Sequence, residues 1–285
     1  MEYSGSEQSL DQDGTERRLT MTTLTDTSPL AVELRAATRR YAALAASADG
    51  DRPLAGSAWT VRESVAHVVT VAPRYSKFPH GTQKLAGTPA SLPALNAEEI
   101  QALGQRPVAE LLGLLDDAVE AVIAQVEGFG DQPPEYRFHG GELVAADVAL
   151  GILLGELLVH GWDLAADMHR RWPITGRQAS LIFSGVEPIL PGWVEPARSA
   201  GHQAAYQVHL GDHRRHVLCF TDGKLSTALP ADRHPDCHIG GSPQAILLIL
   251  YRRLPPWRAA LTGRVLAWGR RPQLAFSLAD RFYLP

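Results

Sequence analysis

The stretch Ile152-Leu153-Leu154-Gly155-Glu156-Leu157-Leu158-Val159-His160-Gly161-Trp162 is apolar on nearly every side except at Glu156 and His160. A helix that is apolar all round is buried on several sides, so this one is the centre of a helical assembly. We read the helix as running from Glu142 to Met168, with Pro173 and Gly176 closing it. At i and i+4 the Glu156 and His160 side chains point the same way, one turn apart. An ionised carboxylate in such surroundings is costly unless something compensates it. A divalent metal does so and also suits an imidazole, and bundle cores hold metals by this device. The same spacing serves a polar core network, in which Glu156 and His160 pair with each other or with arginines. The residues alone leave both open.

Working outward, Ala31 to Ala46 has the composition of an amphipathic helix. Thr60 then opens a second helix, with Glu63 three residues on as in a capping box. Val61, Val65, Val68 and Val69 share one face of it, and His67 lies beside them. Pro73 to Pro93 reads as loop. Asn96 and Pro107 punctuate the start of a long helix, whose Val108, Leu111, Leu115, Val119, Val122, Ile123 and Val126 keep the i, i+3, i+4 pattern. Four helices with one buried centrally describe a bundle over residues 29–172. His67 is its third candidate ligand. Two histidines and one glutamate, with a fourth position left open, make a catalytic zinc arrangement, whereas structural zinc sites are closed by four protein ligands. Asp163, nearly one turn past His160, is either an exposed residue or a carboxylate that orients the histidine.

Beyond residue 172 the texture changes. After a helix from Gln178 to Ile189, Tyr206, Val208 and Leu210 alternate, and Gly211-Asp212 turns into a strand from His216 to Phe220. Asp222-Gly223 turns again before Leu225 to Leu229. Ser242 and Pro243 cap a helix reaching Arg253, Val265 to Trp268 is strand-like, and Gln273 to Phe282 reads as a last helix. Residues 173–285 thus form a smaller mixed α/β domain, and the whole chain is α+β. Residues 1–28 are polar and read as a disordered tail, with Met1 and Met21 both plausible starts.

The chain's 285 residues exceed what one compact core needs, hence the two domains. A net charge of −4 gives no reason to expect nucleic acid, whose phosphates call for clustered positive charge. Cys219 and Cys237 are too few for a disulfide framework, so a reducing, cytoplasmic setting is expected. The apolar run from Val148 to Val159 is short of the about 20 residues that span a bilayer, so no membrane is expected. A rival second metal site is offered by His234, Cys237 and His238 with His209, His213 and His216. Period-two alternation argues against it by sending strand neighbours to opposite faces.

Trp59-Thr60-Val61-Arg62-Glu63-Ser64-Val65-Ala66-His67 resembles the opening motif of the metal-binding domain of mycothiol-dependent maleylpyruvate isomerases, part of the wider DinB-like four-helix bundles. Glu156-Leu157-Leu158-Val159-His160-Gly161-Trp162-Asp163 is similar to the matching late motif, and Asn96 through Val126 follows the family's pattern between them. Thr262-Gly263-Arg264-Val265-Leu266-Ala267-Trp268 resembles the end of the sterol-carrier-like domain attached to these isomerases, and Asp236 to Arg253 its preceding strand and helix. The resemblance implies that His67, Glu156 and His160 ligate zinc or another divalent metal, and that mycothiol is the thiol cosubstrate, deprotonated at the metal. It also implies a catalytic Asp163, and an Arg264 that reaches across the domain interface to a carboxylate of substrate or thiol. A structural salt bridge is the alternative for Arg264. The segment from Pro191 to His202 is longer than the family's pattern.

The expected function is therefore addition of activated mycothiol to a small electrophile, as isomerase or as S-transferase, in a monomer or homodimer. A transferase would include exchange of mycothiol S-conjugates in specialised-metabolite biosynthesis. The competing readings are a non-catalytic lipid or metabolite carrier built on the sterol-carrier-like domain, and a zinc hydrolase that turns over without thiol.

Overall fold

The computed structural model describes residues 28–55, 57–211 and 216–283. The expected tail up to residue 27, both candidate starts, Asp212 and His213 lie outside them. Helix α1 (Pro29–Ala45) begins where the Ser28 side chain accepts the Leu30 N–H and Pro29 takes the first turn. Helix α2 (Val61–Lys77) carries the expected capping box: Thr60 Oγ1 accepts from Glu63 N–H, and the Glu63 carboxylate accepts from Thr60 N–H at 2.8 Å. It runs on through Pro73, which the sequence reading placed in a loop. Packing of Val71, Ala72 and Tyr75 into the core outweighs the backbone bond that proline forfeits.

The long helix divides in two. Helix α3 (Leu92–Leu103) contains Asn96 well inside it and stops at Gly104, whose φ of 65° ends the helical path. Helix α4 (Val108–Gly128) follows Pro107 and buries Leu111, Leu115, Val119, Val122 and Ile123. Strands β1 (Glu135–Arg137) and β2 (Leu143–Ala145) then form an antiparallel hairpin, with Tyr136 opposite Val144. Helix α5 (Ala146–Asp167) therefore starts four residues later than Glu142 suggests, because β2 takes up the intervening chain. In the bundle α1 and α2 each pack against both α4 and α5, which sets His67 on α2 beside the late motif on α5. Over its full length α5 is long and apolar enough to cross a membrane, unlike the shorter run read from sequence. Of its most apolar window, 78% is buried inside the fold, as for a core helix.

Helix α6 (Gly176–Val186), capped by Thr175 and Gln178, packs along α5. A short α7 (Pro196–Ser199) leads into the sheet. Its strands are β3 (Ala204–His209), β4 (His216–Thr221), β5 (Lys224–Ser226), β6 (Cys237–Gly241) and β7 (Val265–Trp268), in the order β5-β4-β3-β6-β7. Only β3 and β6 run parallel. Helix α8 (Pro243–Leu250) is capped by Ser242 as expected, and α9 (Pro256–Leu261) was not anticipated. The expected terminal helix is instead two 3₁₀ turns, Pro272–Ser277 and Ala279–Arg281. Its carbonyls are drawn into tertiary bonds: the Arg252 guanidinium donates to Ala279 and Phe282 oxygens, and Ser199 Oγ to that of Arg281. The result is a helical N-terminal region and a smaller sheet-containing one, joined by one continuous cluster of buried apolar residues.

Candidate metal centre

Helix α2 presents His67, and α5 presents Glu156 and His160, so that one ligand atom from each lies within 4.8 Å of the other two. Glu156 Oε2 stands 3.4 Å from His67 Nε2 and 3.3 Å from His160 Nε2. Charge-assisted N–H···O bonds close to about 2.7–2.9 Å. Tetrahedral ligands at 2.0–2.1 Å from a zinc ion stand about 3.4 Å apart. The spacing fits ligands arranged for a small cation better than a closed ion pair. Trp59 covers the pair of imidazoles, its ring 4.8 Å from His67 and 6.0 Å from His160.

The electrostatics follow from burial and neighbours. Burial presses Glu156 towards its neutral form, but His160 and His67 outweigh it and hold the carboxyl well below the usual carboxylate range. Burial also opposes charge on His160, yet Asp163 and Glu156 lift it to about 9. At His67, burial wins over the pull of Glu156 and the imidazole titrates low.

Asp163 comes to within 3.6 Å of His160 Nδ1, the ring nitrogen that faces away from Glu156. Its carboxylate is clamped by Arg253, which donates from Nη2 at 3.0 Å and from Nε at 3.2 Å. A carboxylate on the outer nitrogen sets the tautomer and aim of a ligating histidine. We therefore expect Asp163→Asn to weaken divalent-metal affinity by about 10–100-fold, with Arg253→Met acting in the same direction. Competition against a chromophoric chelator measures both, and undiminished affinity in both would remove Asp163 from this role. Arg253 was missed in the sequence, where it reads only as a helix end. Arg264 lies between α9 and β7; its carbonyl accepts the Ser242 N–H. Its side chain does not line the cavity beside the trio.

That cavity lies between the helical and sheet-containing regions and, with its mouth, encloses about 910 Å³. Glu156 forms part of its wall, with Arg74, His139, Phe183, Trp193 and Tyr251 among the other lining residues. Arg74 is buried and engaged by Glu99 and by Asn96 Oδ1 at 2.7 Å. His139 is 2% exposed, and its Nδ1 accepts the Ala86 N–H at 2.9 Å. Burial, then the Arg74 charge, push His139 down to about 4. Since its unfolded value is about 6.5, the unfolded chain takes up a proton between these values that the folded chain refuses. Stability is thus complete above pH 6.5 and lost as pH falls towards 4. Between pH 7 and 4.5 we expect wild type to lose about 2–3 kcal/mol more than His139→Asn, read from urea midpoints. Parallel losses would exclude His139 as the source.

Among the described residues, the histidines of the rival site divide between two places. His209 and His238 stack on Trp268 on one face of the sheet, with His209 Nε2 and His238 Nδ1 3.3 Å apart. His216 instead pairs with Glu187 at 3.1 Å, and Cys237 is buried. Among the described residues, the trio on α2 and α5 is the group of three that could hold a metal.

Compared with known families, residues 31–165 match the model of the mycothiol maleylpyruvate isomerase N-terminal domain. The match is to a domain and spans a little under half of the chain. All three metal-candidate side chains but none of the sheet lie inside the matched span. The fold is also similar to the crystal structure of a histidine-to-alanine mutant of the mycothiol-dependent maleylpyruvate isomerase. The TM-score is 0.52 at 17% identity, covering 84% of this chain and 91% of that one. The crystal structure of the mycothiol-dependent maleylpyruvate isomerase without that substitution aligns with a TM-score of 0.48 at 17% identity, over 77% of this chain and 86% of its own. No curated protein matches by sequence. Within the matched span, α3 brings Leu92 to the cavity and sets Asn96 and Glu99 on Arg74, and the β1–β2 hairpin brings His139 to the same cavity.

Proposed function

We propose that the protein is an enzyme that holds a divalent metal, most suitably zinc, on His67, Glu156 and His160 and uses mycothiol as thiolate towards a small electrophile. The observation that carries this reading is the convergence of those three ligand atoms, with Glu156 at the wall of a largely apolar cavity. When bound, the cation would favour thiolate over thiol at neutral pH. The chain's own residues do the rest. Glu156 and the two imidazoles supply one net negative charge to the metal, leaving it cationic enough to draw a thiolate. Trp59 and the apolar walls keep water away, and Arg253 with Asp163 fixes the His160 ring. Neither cysteine offers a competing nucleophile: both are buried, and burial raises the Cys237 thiol.

The test is metal content together with turnover of a model electrophile, with and without mycothiol. We expect about one divalent metal per chain, turnover that requires the thiol, and loss of both on chelation with recovery on zinc addition. Thiol-independent turnover would favour a hydrolase and overturn the proposal.

A second reading has its own observation. A largely apolar cavity between α8, α9, β7 and the 3₁₀ turns, lined by Ile239, Ile246, Val265 and Phe276 among others, supports a carrier for an acyl or similarly apolar metabolite. Stoichiometric binding of a fluorescent fatty acid to chelator-treated protein would support it.

A further inference from the structure

Aromatic rings reach the cavity beside the trio from both regions of the chain. Tyr75 comes from α2, Phe138 from the β1–β2 hairpin, Phe183 from α6, and Tyr251 and Phe282 from beyond α8. Walls of this kind receive an aromatic guest, edge to face or offset against their rings. A charged guest finds no such welcome. Taking a carboxylate out of water is costly unless a cation or several donors receive it. Arg264, the arginine expected from sequence to grip a carboxylate, is not among the lining residues. Arg74 does line the cavity, but it already holds a carboxylate of its own. Its Nε donates to Glu99 Oε2 at 2.9 Å, and its Nη2 donates to the same oxygen and to Asn96 Oδ1 at 2.7 Å. An anion approaching Arg74 therefore meets Glu99 as well. His139 adds no charge at neutral pH, since burial and Arg74 hold it down to about 4. Glu156, kept ionised by the two imidazoles, repels a further anion.

We propose that this cavity takes an uncharged aromatic electrophile and turns carboxylates away, with Glu99 as the residue that sets the preference. This deepens the function proposed above and rests on it. Discrimination of this sort comes from what a site withholds from the wrong ligand as much as from what it offers the right one. Here the aromatic rings make the offer, and the Arg74–Glu99 pair does the withholding. Glu99 acts through Arg74 and touches no substrate, so it is a positioning residue.

Two unreactive probes that differ by one charge test this: methyl para-(trifluoromethyl)benzoate and para-(trifluoromethyl)benzoate. Their dissociation constants are read from fluorine NMR line widths with full-length protein as purified. We expect wild type to hold the ester about tenfold more tightly than the acid, the lower end of what a close charge pair contributes. In Glu99→Gln the amide oxygen still accepts from Arg74, but the guanidinium has lost its opposite charge. The acid should then bind about tenfold more tightly than in wild type, with the ester unchanged. A gain for one ligand alone is not what a loosened fold gives. The second apolar cavity has neither Arg74 nor Glu99 in its wall, so the change reports on this one. Arg74→Met combined with Glu99→Gln leaves no charge of the pair behind and should return the acid to wild-type affinity. Wild type that binds the acid as tightly as the ester, or that binds neither, overturns the proposal. So does a folded Glu99→Gln with wild-type affinity for the acid. Should that variant fail to fold, the wild-type comparison decides by itself. A turnover arm uses metal-loaded protein, mycothiol, and the para-(bromomethyl)benzoate acid and methyl ester. Sulfur bonds to the benzylic carbon while bromide leaves with the carbon–bromine pair. Corrected for the uncatalysed rates, kcat/KM should favour the ester by about the same factor. If the ester binds selectively yet neither bromide is turned over, the thiol chemistry fails while the preference of the cavity stands.

Discussion

A His67→Ala protein is expected to fold, to lose its divalent metal, and to lose thiol-dependent turnover by about a thousandfold. The fold should survive because the Glu156 charge keeps His160 as partner, and His160 is held in turn by Asp163. The capping box at Thr60 and Glu63 does not involve the imidazole, and Val61, Val65, Val68 and Val69 still anchor α2 in the core. Affinity should fall at least as far as for a disturbed supporting carboxylate, about 10–100-fold, since a whole ligand is gone. A metal supplies several kcal/mol of charge stabilisation to a reaction, and about 4 kcal/mol corresponds to the thousandfold loss in rate. Metal analysis after gel filtration, turnover with mycothiol and far-ultraviolet circular dichroism measure the three parts. A variant that keeps one metal per chain and its turnover would place the metal elsewhere.

What could be read in advance follows the range of the interactions involved. Glu156 and His160 are four residues apart on an apolar helix, so their geometry is set locally, and the Thr60 cap is equally local. The alternation in β3 and the Asp222-Gly223 turn were likewise visible from the chain. The partners that complete the site are not local. Arg253 meets Asp163 across 90 residues, and His139 meets Ala86 across 53. Nothing in the pattern around Arg253 distinguishes it from the neighbouring Arg252, which instead ties down the chain end. For His139 a signal did exist. Gly140-Gly141 between Phe138 and Leu143 is a hairpin sequence, but the strong helical pattern from Ala146 onward was extended backwards to Glu142, over the hairpin's second strand. Of the two residues read as punctuating the long helix, Pro107 does precede α4, whereas Asn96 lies inside a separate α3 that ends at Gly104.

The largest effect on stability should come from a single methyl group. Helices α5 and α6 cross at a pair of glycines: a Cβ on Gly151 would lie 2.4 Å from the Leu181 carbonyl oxygen, and one on Gly185 would lie 2.8 Å from the Ile152 nitrogen. Both obstacles are backbone, so no side chain can swing aside, and relief requires moving one helix off the other. Gly113, on the exposed side of α4, has nothing within 4 Å of the added atom. The same substitution should therefore act with opposite sign at the two sites. Gly113→Ala removes glycine's helical penalty and is expected to stabilise by up to about 1 kcal/mol. Gly151→Ala should destabilise by about 3 kcal/mol, at the upper end of overpacking, or roughly 6 °C in Tm for a chain of this size. Because Ile152 on α5 and Phe183 and Val186 on α6 line the cavity, the displacement should also raise KM for the electrophile while metal content stays near one per chain. Differential scanning calorimetry and metal analysis on the two variants test this. If Gly151→Ala matches Gly113→Ala in sign, the helices are not locked at that crossing, and the cavity owes its shape to something other than the close approach of α5 and α6.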